Sequence, residues 1–232
     1  MTLRKGVRKI FDEVAWTYEI TNHLLTLGLD IKWRKQAAKK ASSVQPQKCL
    51  DVCSGTGETA QLLSWYTDND SRIISLDFSN PMVSIGKKKR KMKKIHFVLG
   101  DAVYLPFQDN VFDVMTITFA TRNISPNKEI LEIHLREFFR VLKPGGLFVN
   151  LETSQPSYRI LKILFHLYVR LAVRSIGPLI SKSKVGYKYL AHTVPRFFDP
   201  KELAELVRKA GFNEINFTPL FFGVAAIHTA KK

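Results

Sequence analysis

A glycine turn between a strand-like and a helix-like segment is the first place in this sequence that could bind a ligand. The segment LDVCSGTG begins at Leu50 in an apolar run and places Gly55 and Gly57 where the chain must turn. Asp51, Gly55 and Gly57 are its candidate ligand contacts, and for Asp51 the prediction rests on its place beside the turn. Glycine allows a tight turn, and the first N–H groups of the next helix can bind an anionic group. The third glycine of the dinucleotide fingerprint and the Gly-Lys-Ser/Thr of a phosphate loop are missing. The turn therefore predicts a ligand without phosphates.

Two carboxylates follow the next two predicted strands. Asp77 ends RIISLD, where a carboxylate can accept hydrogen bonds from both hydroxyls of a ribose. The alternative, a cap for the next helix, is better filled by Ser79. Asp101 can accept from an adenine amino group beside the backbone of Ala102, although a turn or helix cap stays open for Asp101 by itself. Together with the glycine turn, the two carboxylates predict an adenosyl amino acid as the ligand.

Strand-like and helix-like segments alternate along the chain after Pro46. The predicted strands are KCLDV, RIISLD, HFVLGD, FDVMTITFA, GLFVNLET, NEINFTPL and GVAAIHTA. Helices between the first five strands imply crossover connections and a parallel sheet, whereas the last two strands predict an antiparallel hairpin. We expect an α/β fold: one domain over 1–232 with a doubly wound, mostly parallel seven-stranded sheet. Residues 1–43 predict a helical N-terminal cap, and 155–195 a helical insertion.

Composition narrows the class of partner. The 232 residues carry 36 Lys and Arg against 20 Asp and Glu, a formal net charge of +16, which favours association with nucleic acid or an anionic membrane surface. Cys49 and Cys53 are expected to be thiols, and we expect no metal because no His or Cys cluster is present. The first residues lack the apolar stretch of a signal peptide, so we expect a cytoplasmic protein.

The glycine turn and Asp101 lie within longer stretches that resemble the ubiquinone/menaquinone biosynthesis C-methyltransferases. These are class I S-adenosylmethionine-dependent enzymes and include the demethylmenaquinone methyltransferases. The resemblance runs from about Phe11 to the last residues and rests on FDEVAWTYEITNHLLTLGLDIKW, LDVCSGTG, GDAVYLPFQDNVFD, ITFATRNI, RVLKPGGLFVNLETS, YKYLAHT and GVAAIHTAKK. It implies a Rossmann-like fold, S-adenosyl-L-methionine as cofactor and a long-chain prenyl quinol as acceptor.

Position by position, the resemblance implies a set of cofactor contacts: Thr56, Asp77, Asp101, Ala102 and Thr118. Thr118 keeps the hydroxyl of the serine that is usual in the family. The departures are Glu19 for Asp, Thr21 for Met, Asp30 for His, Ala120 for Gly, Thr153 for Phe and His192 for Glu. They lie near the expected acceptor side, so the resemblance implies the chemistry more firmly than the acceptor.

The acceptor side needs groups that make a ring carbon nucleophilic. An adjacent quinol hydroxyl achieves this when it loses its proton, which calls for a base or for a cation that stabilises the phenolate. The candidate catalytic residues are Arg122 and Asn123, which follow the fourth strand, with Arg122 as the cation. The alternative is that Arg122 pairs with a carboxylate to fix the loop. The candidate substrate contacts are Tyr18 and Asn22 from the N-terminal cap and Tyr187 and Tyr189 from the predicted insertion, with packing as the alternative for each. His23 lies beside the first two of these residues in the sequence, and His192 follows the last two.

A basic stripe follows one predicted helix between Tyr158 and Ser175. Its members are Arg159, Lys162, His166, Arg170 and Arg174, separated by Ile, Leu, Phe, Val and Tyr. Such a helix suits an anionic lipid interface, where a long-tailed quinol would be found. The same periodicity would allow its apolar face to pack on the core or on a second copy in a homodimer.

Three functions compete for this sequence. The first is C-methylation of a prenylated quinol, demethylmenaquinol or a related ubiquinol precursor, at the inner face of the cell membrane. The second is methylation of RNA or another small molecule; the net charge favours RNA, but no base-reading motif is present. The third is a non-catalytic S-adenosylmethionine-binding protein.

Overall fold

Seven strands form one sheet in the computed structural model, which describes residues 2–89, 94–125, 127–173 and 184–232. They are β1 (Lys48–Val52), β2 (Arg72–Asp77), β3 (Ile95–Leu99), β4 (Phe112–Thr118), β5 (Leu142–Thr153), β6 (Asn213–Leu220) and β7 (Ala225–Lys231). Their order is β3-β2-β1-β4-β5-β7-β6; β1 to β5 are parallel, and β7 is antiparallel to β5 and β6. The predicted doubly wound, mostly parallel sheet with an antiparallel C-terminal strand is confirmed.

Three of the helices in the described residues precede β1, and the others lie in segments between strands. They are α1 (Thr2–Val14), α2 (Tyr18–Leu25), α3 (Leu29–Ser42), α4 (Glu58–Tyr66), α5 (Asn80–Lys88), α6 (Thr121–Ile124), α7 (Lys128–Val141), α8 (Arg159–Tyr168), α9 (Lys184–Thr193) and α10 (Pro200–Lys209). A π-helical turn, Val169–Val173, follows α8 directly. Residues 90–93 of the lysine tract and Arg174 of the basic stripe lie outside the described residues.

Strand β5 begins earlier than the sequence predicts. Leu142 already pairs with Phe112, and regular pairing resumes between Leu147 and Val114. Pro144 and Gly145, which precede the predicted strand GLFVNLET, therefore lie in an irregular part of β5.

Apolar side chains cover both faces of the sheet because successive residues of a strand point to opposite sides. Leu50 of β1 packs in a cluster with Phe138 of α7, whereas the neighbouring Cys49 packs on the other face with Ala37 of α3. The order of the strands reverses between β1 and β4, and ligands of such sheets bind outside the carboxyl ends at this point. The site is therefore expected beside β1 and β4.

The N-terminal helices lie over that edge. The Ser79 hydroxyl after β2 donates to Asp12 of α1 over 2.6 Å, and the Thr56 hydroxyl in the glycine turn donates to Glu19 of α2. These bonds join the N-terminal helices to the loops that follow β1 and β2. They place α1 and α2 as one wall of the crevice.

Candidate active site

The glycine turn has a backbone conformation that residues with a Cβ rarely adopt. Gly57 has φ +82°, and a Cβ there would lie 2.9 Å from the Phe97 ring, so glycine serves both the conformation and the packing. Gly55 has φ +57°, and its N–H donates to Asp77 Oδ2 over 2.8 Å. The turn is thus tied directly to the end of the next strand.

Asp77 points its carboxylate into the crevice at the end of β2. Its Oδ1 accepts from the Ser79 N–H over 2.9 Å and its Oδ2 from Gly55, which leaves further lone pairs for a ligand. Burial raises the pKa of Asp77 to about 6, against the lowering effect of these backbone hydrogen bonds. Ser79 is the N-cap of α5, as its side chain accepts from the Met82 N–H. Capping this helix therefore does not require Asp77.

A cavity of about 550 Å³ connects the ends of β1 to β4. Its lining includes the predicted residues Gly55, Thr56, Asp77, Asp101, Ala102, Thr118 and Asn123. Asp101 Oδ1 accepts from the Val103 N–H over 3.1 Å, so the carboxylate also shapes the loop that it begins. The structure therefore brings together the residues expected to contact ribose and base.

Two predicted cofactor residues, Asp51 and Gly57, are absent from the lining of this cavity. The Asp51 carboxylate is fully buried and accepts from the Thr116 hydroxyl over 2.7 Å and the Ala60 N–H over 3.1 Å. Burial raises its pKa to about 7. In this position Asp51 holds the start of α4 against the sheet, and Gly57 allows the approach of Phe97.

A second, more apolar cavity of about 430 Å³ adjoins the first. All four candidate substrate contacts line it: Tyr18, Asn22, Tyr187 and Tyr189. The residues that line both cavities are Phe11, Tyr18, Arg34, Phe119 and Asn123. The two cavities therefore share a wall, across which two ligands could meet.

Arg122 lines the second cavity and is also paired with a buried carboxylate. Its Nη1 donates to Glu152 Oε1 over 3.1 Å and to the Thr153 hydroxyl over 2.7 Å, and its backbone N–H donates to Glu152 Oε2. The Nε atom is buried and has no hydrogen-bond partner among the residues that the structure describes. The ion pair that was the alternative for Arg122 is thus present, and it holds the guanidinium at the cavity.

The charge of Arg122 acts on tyrosines of the same cavity. Burial raises the pKa of the Tyr189 hydroxyl, whereas Arg122 lowers it. Burial likewise raises the pKa of Tyr18, and Arg34 and then the hydrogen bond with Asn22 lower it. The hydroxyl groups therefore stay protonated at neutral pH and can donate to an oxygen of a ligand.

Asn123 lines both cavities, and its side-chain oxygen is a hydrogen-bond acceptor that a ligand could use. Its Nδ2 donates to the Phe119 carbonyl over 3.4 Å, whereas its buried Oδ1 has no partner in the described part of the chain. A buried polar atom without a partner is costly unless a ligand or water satisfies it. The atom is consistent with a site completed by a bound molecule.

Sequence reasoning missed a group of charged residues beneath the shared wall. Arg34 Nη1 donates to the Thr118 hydroxyl over 2.7 Å and to the Thr59 hydroxyl over 3.1 Å. His23 connects two carboxylates, with Nδ1 2.8 Å from Asp30 and Nε2 3.2 Å from Glu58. The spacing of Asp30 and Arg34, one helical turn apart, was the available signal, because it puts both on one face of α3. That no metal binds stays a prediction.

The mouth of the second cavity is apolar and exposed. No residue of α8 is buried, and Ile160 is 73% exposed. The cavity is lined at this side by Leu161 and Leu164 of α8, and by Leu27 and Phe222, which are 86% and 71% exposed. Within the described residues the apolar side chains of α8 are therefore mostly exposed, although Phe165 packs against the buried cluster that contains Val169 and Tyr187. Within that part, no helix is long and apolar enough to cross a bilayer.

Comparisons with known proteins agree over nearly the whole chain. A model of the ubiE/COQ5 methyltransferase family matches residues 2–232. The demethylmenaquinone methyltransferase of Staphylococcus haemolyticus is 37% identical over 230 residues, which cover 99% of this chain and 95% of the relative. The Thermotoga maritima protein of the same name is 37% identical over 225 residues, with coverage of 97% and 95%.

Solved structures share the fold at lower identity. A SAM-dependent methyltransferase from Thermotoga maritima has a TM-score of 0.66 at 21% identity and covers 97% of this chain and 99% of its own. Human N-acetylserotonin methyltransferase in complex with SAM has a TM-score of 0.63 at 18% identity, with coverage of 93% and 57%. At these identities the likeness describes the sheet and its helices.

Proposed function

Because this chain belongs to the ubiE/COQ5 methyltransferase family, we propose that it methylates a ring carbon of demethylmenaquinol or a closely related prenyl quinol. The enzyme uses S-adenosylmethionine for C-methylation in quinone biosynthesis. The observation that carries the choice of acceptor is the apolar cavity that adjoins the polar cavity and opens at exposed apolar side chains. A flat ring with a long apolar tail fits that shape.

The residues of the larger cavity fit an adenosyl amino acid. Asp77 offers acceptors for the ribose hydroxyls, and Asp101 with Ala102 offers groups for the base. When bound, S-adenosylmethionine supplies a methyl group on a good leaving group, so placement of the acceptor accounts for much of the catalysis. The shared wall at Tyr18, Phe119 and Asn123 is where the acceptor ring would be held.

Arg122 is proposed to stabilise the ionised quinol hydroxyl. The ring carbon attacks only after the neighbouring hydroxyl has lost its proton, and the ring proton at the new carbon–carbon bond leaves afterwards. A fixed cation in a water-poor cavity stabilises the charge that develops on the quinol oxygen. Glu152 holds the guanidinium in place, and Tyr18 and Tyr189 can donate hydrogen bonds to the same oxygen.

The exposed side of α8 is proposed to lie on the cytoplasmic face of the cell membrane. Arg159, Lys162 and Arg170 are exposed among apolar side chains, which suits an interface of anionic lipid. The apolar mouth lies on the same side, so a prenyl tail could remain in the bilayer while the ring enters the cavity. A second copy covering this face is the competing occupant, and it predicts a dimer in solution.

Transfer of a labelled methyl group is the direct test. Purified protein is incubated with methyl-labelled S-adenosylmethionine and vesicles containing demethylmenaquinol, with parallel samples that contain a demethylated benzoquinol or bulk RNA. We expect the label on the naphthoquinol ring, identified by mass spectrometry after extraction. Label in RNA alone, or cofactor binding without any labelled quinol, would contradict the proposal.

A further inference from the structure

Arg34 and Glu58 form a pair of opposite charges that the proposed reaction leaves unused. Both line the larger cavity, Arg34 from α3 and Glu58 from the first position of α4. Arg34 is only 5% exposed, and its Nε lies 3.7 Å from Glu58 Oε2. A buried pair of this kind is a poor source of stability by itself, because the desolvation of both charges offsets their attraction. Its position in a ligand cavity calls for another role.

The arginine is held firmly but is not fully hydrogen-bonded. Nη1 is fixed by Thr118 and Thr59, and the guanidinium carbon lies 5.0 Å from the centre of the Phe119 ring. Nε is buried and has no hydrogen-bond partner among the described residues, since the nearest oxygens of Glu58 and Asp30 are 3.7 and 3.9 Å away. Arg34 therefore lines both cavities while one of its donors has no partner among these residues.

The neighbouring carboxylate of Asp30 is already occupied. Its Oδ1 accepts from the Thr26 hydroxyl over 2.6 Å, and its Oδ2 is paired with His23 over 2.8 Å. Glu58 also contacts His23 through Oε1 at 3.2 Å. Burial raises the pKa of Glu58, and the charge of Arg34 lowers it. Asp30 and His23 thus flank the pair, and of these four residues Arg34 and Glu58 line the larger cavity.

The proposed position of ribose and base in the larger cavity indicates which part of the ligand lies beside Arg34 and Glu58. Asp77 and Asp101, at the ends of β2 and β3, are proposed to hold ribose and base. The rest of an adenosyl amino acid must then extend toward β1 and β4, where Arg34 is bonded to Thr118. That end of the ligand is a zwitterion with one carboxylate and one ammonium group.

We propose that Arg34 binds the carboxylate and Glu58 the ammonium of the amino-acid end of S-adenosylmethionine, an inference that rests on the proposed function. The neutral zwitterion matches the neutral pair of side chains, so neither partner is left with an uncompensated charge. Arginine suits the carboxylate because it can donate two hydrogen bonds in one plane. Arg34 and Glu58 would then orient the methyl group toward the shared wall at Phe119.

Decarboxylated S-adenosylmethionine isolates the role of Arg34. Isothermal titration calorimetry is performed with this compound and with S-adenosylmethionine on the full-length wild type and on Arg34→Met. We expect the wild type to prefer the intact compound by about 10- to 100-fold, the range for hydrogen bonds to a charged group. Arg34→Met should bind both with similar affinity, and Arg34→Lys should keep part of the preference.

Controls separate this inference from other roles of the same residues. Arg122→Met removes a buried arginine that lines only the acceptor cavity, so it should retain the full preference. Glu58→Gln should weaken the binding of S-adenosylhomocysteine, but it should not weaken the binding of the analogue that lacks the amino group. A wild type that binds both cofactor forms equally overturns the inference without any variant. A preference retained in Arg34→Met overturns it too, even if turnover falls.

The same titrations distinguish failure of this inference from failure of the proposed function. A wild type that binds neither compound would contradict the cofactor assignment itself. A wild type that binds S-adenosylmethionine and methylates quinol, but does not discriminate against the decarboxylated form, would contradict only the role of Arg34.

Discussion

The two cavities of this enzyme are built in different ways. The cofactor side is made of loops that follow β1 to β4, so Asp77 and Asp101 take their positions from the ends of hydrogen-bonded strands. The acceptor side is lined by α2, α8 and α9, whose side chains are positioned by helix packing. The sheet therefore positions the residues of the cofactor side, whereas the helices that cover the sheet position the residues of the acceptor side. Substitutions on the two sides should therefore produce separable effects.

Removing the charge of Arg122 should give the largest effect and separate the two sides most clearly. For Arg122→Met we expect kcat to fall by about 10³-fold, the range for loss of one group that stabilises developing charge. The affinity for S-adenosylmethionine, measured by calorimetry, should change less than about threefold because Arg122 does not line the cofactor cavity.

Two controls accompany this substitution. Arg136→Met removes an exposed arginine that pairs with Glu132 one turn away on α7, and it should leave both parameters unchanged. Because Arg122→Met leaves Glu152 buried without its partner, the thermal melt is recorded for each variant. Normal turnover in a folded Arg122→Met protein would reject the role of this residue.

Asp77→Asn should lower the affinity for the cofactor and leave kcat nearly unchanged, which is the opposite of the effect expected for Arg122→Met. The carboxylate can accept two charge-assisted hydrogen bonds from the ribose, so its loss should weaken cofactor binding by about 10- to 100-fold. Turnover at saturating cofactor should change far less. Asp113→Asn is the matched control, since Asp113 lies at the opposite end of β4 and accepts from the N–H groups of Gln47 and Lys48. Equal affinity in Asp77→Asn and wild type would refute the ribose contact.

The mouth of the acceptor cavity is tested by charge reversal on α8 and the turn that follows. Changing Arg159, Lys162 and Arg170 to Glu should reduce binding to anionic vesicles by at least about 100-fold, because each basic residue near the surface contributes roughly 1 kcal/mol. Methylation of a quinol with a short, soluble tail should be unaffected.

The control for this experiment carries the same change in net charge. Lys201, Arg208 and Lys209 are exposed on α10, so their replacement by Glu should leave vesicle binding largely intact. Equal losses in both triple variants would show attraction by net charge alone. A protein that is dimeric in light scattering and indifferent to vesicles would favour a second copy on this face.

Acidification should affect the cofactor side by a smaller amount. With a pKa of about 6 in the free protein, Asp77 is largely ionised at pH 7.5 and mostly protonated at pH 5.5. If only the ionised form binds well, affinity should be about fourfold lower at pH 5.5 than at pH 7.5. Asp77→Asn should remove this part of the pH dependence. An unchanged slope in the variant would assign the dependence to another group.

The same distinction explains what the sequence could predict. Asp77 and Asp101 were predictable because a residue directly after a parallel strand must lie at one edge of the sheet. Asp51 was assigned to the cofactor from its place in the turn, but it lies inside the strand and accepts from Thr116. Sequence adjacency to the turn did not determine on which side of the backbone this carboxylate would point.

The residues beneath the shared wall were harder to predict from sequence. Arg34 lies 84 positions before its partner Thr118 along the chain, so no local pattern connects them. The pairing of Arg122 with Glu152 depends on the neighbouring ends of β4 and β5 and was foreseen only as an unspecified carboxylate. Side chains that meet through packing of distant segments require the structure to be recognised.

The wall that the two cavities share limits how independently the specificity for the acceptor and the specificity for the methyl donor can evolve. Phe11, Tyr18, Arg34, Phe119 and Asn123 line both cavities, so a change that admits a different ring also alters the surroundings of the methyl donor. Substitutions among residues in contact are generally non-additive. Directed evolution toward new acceptors should therefore accumulate its first changes at the mouth, around Leu161 and Phe222, and reach the wall only in coupled pairs.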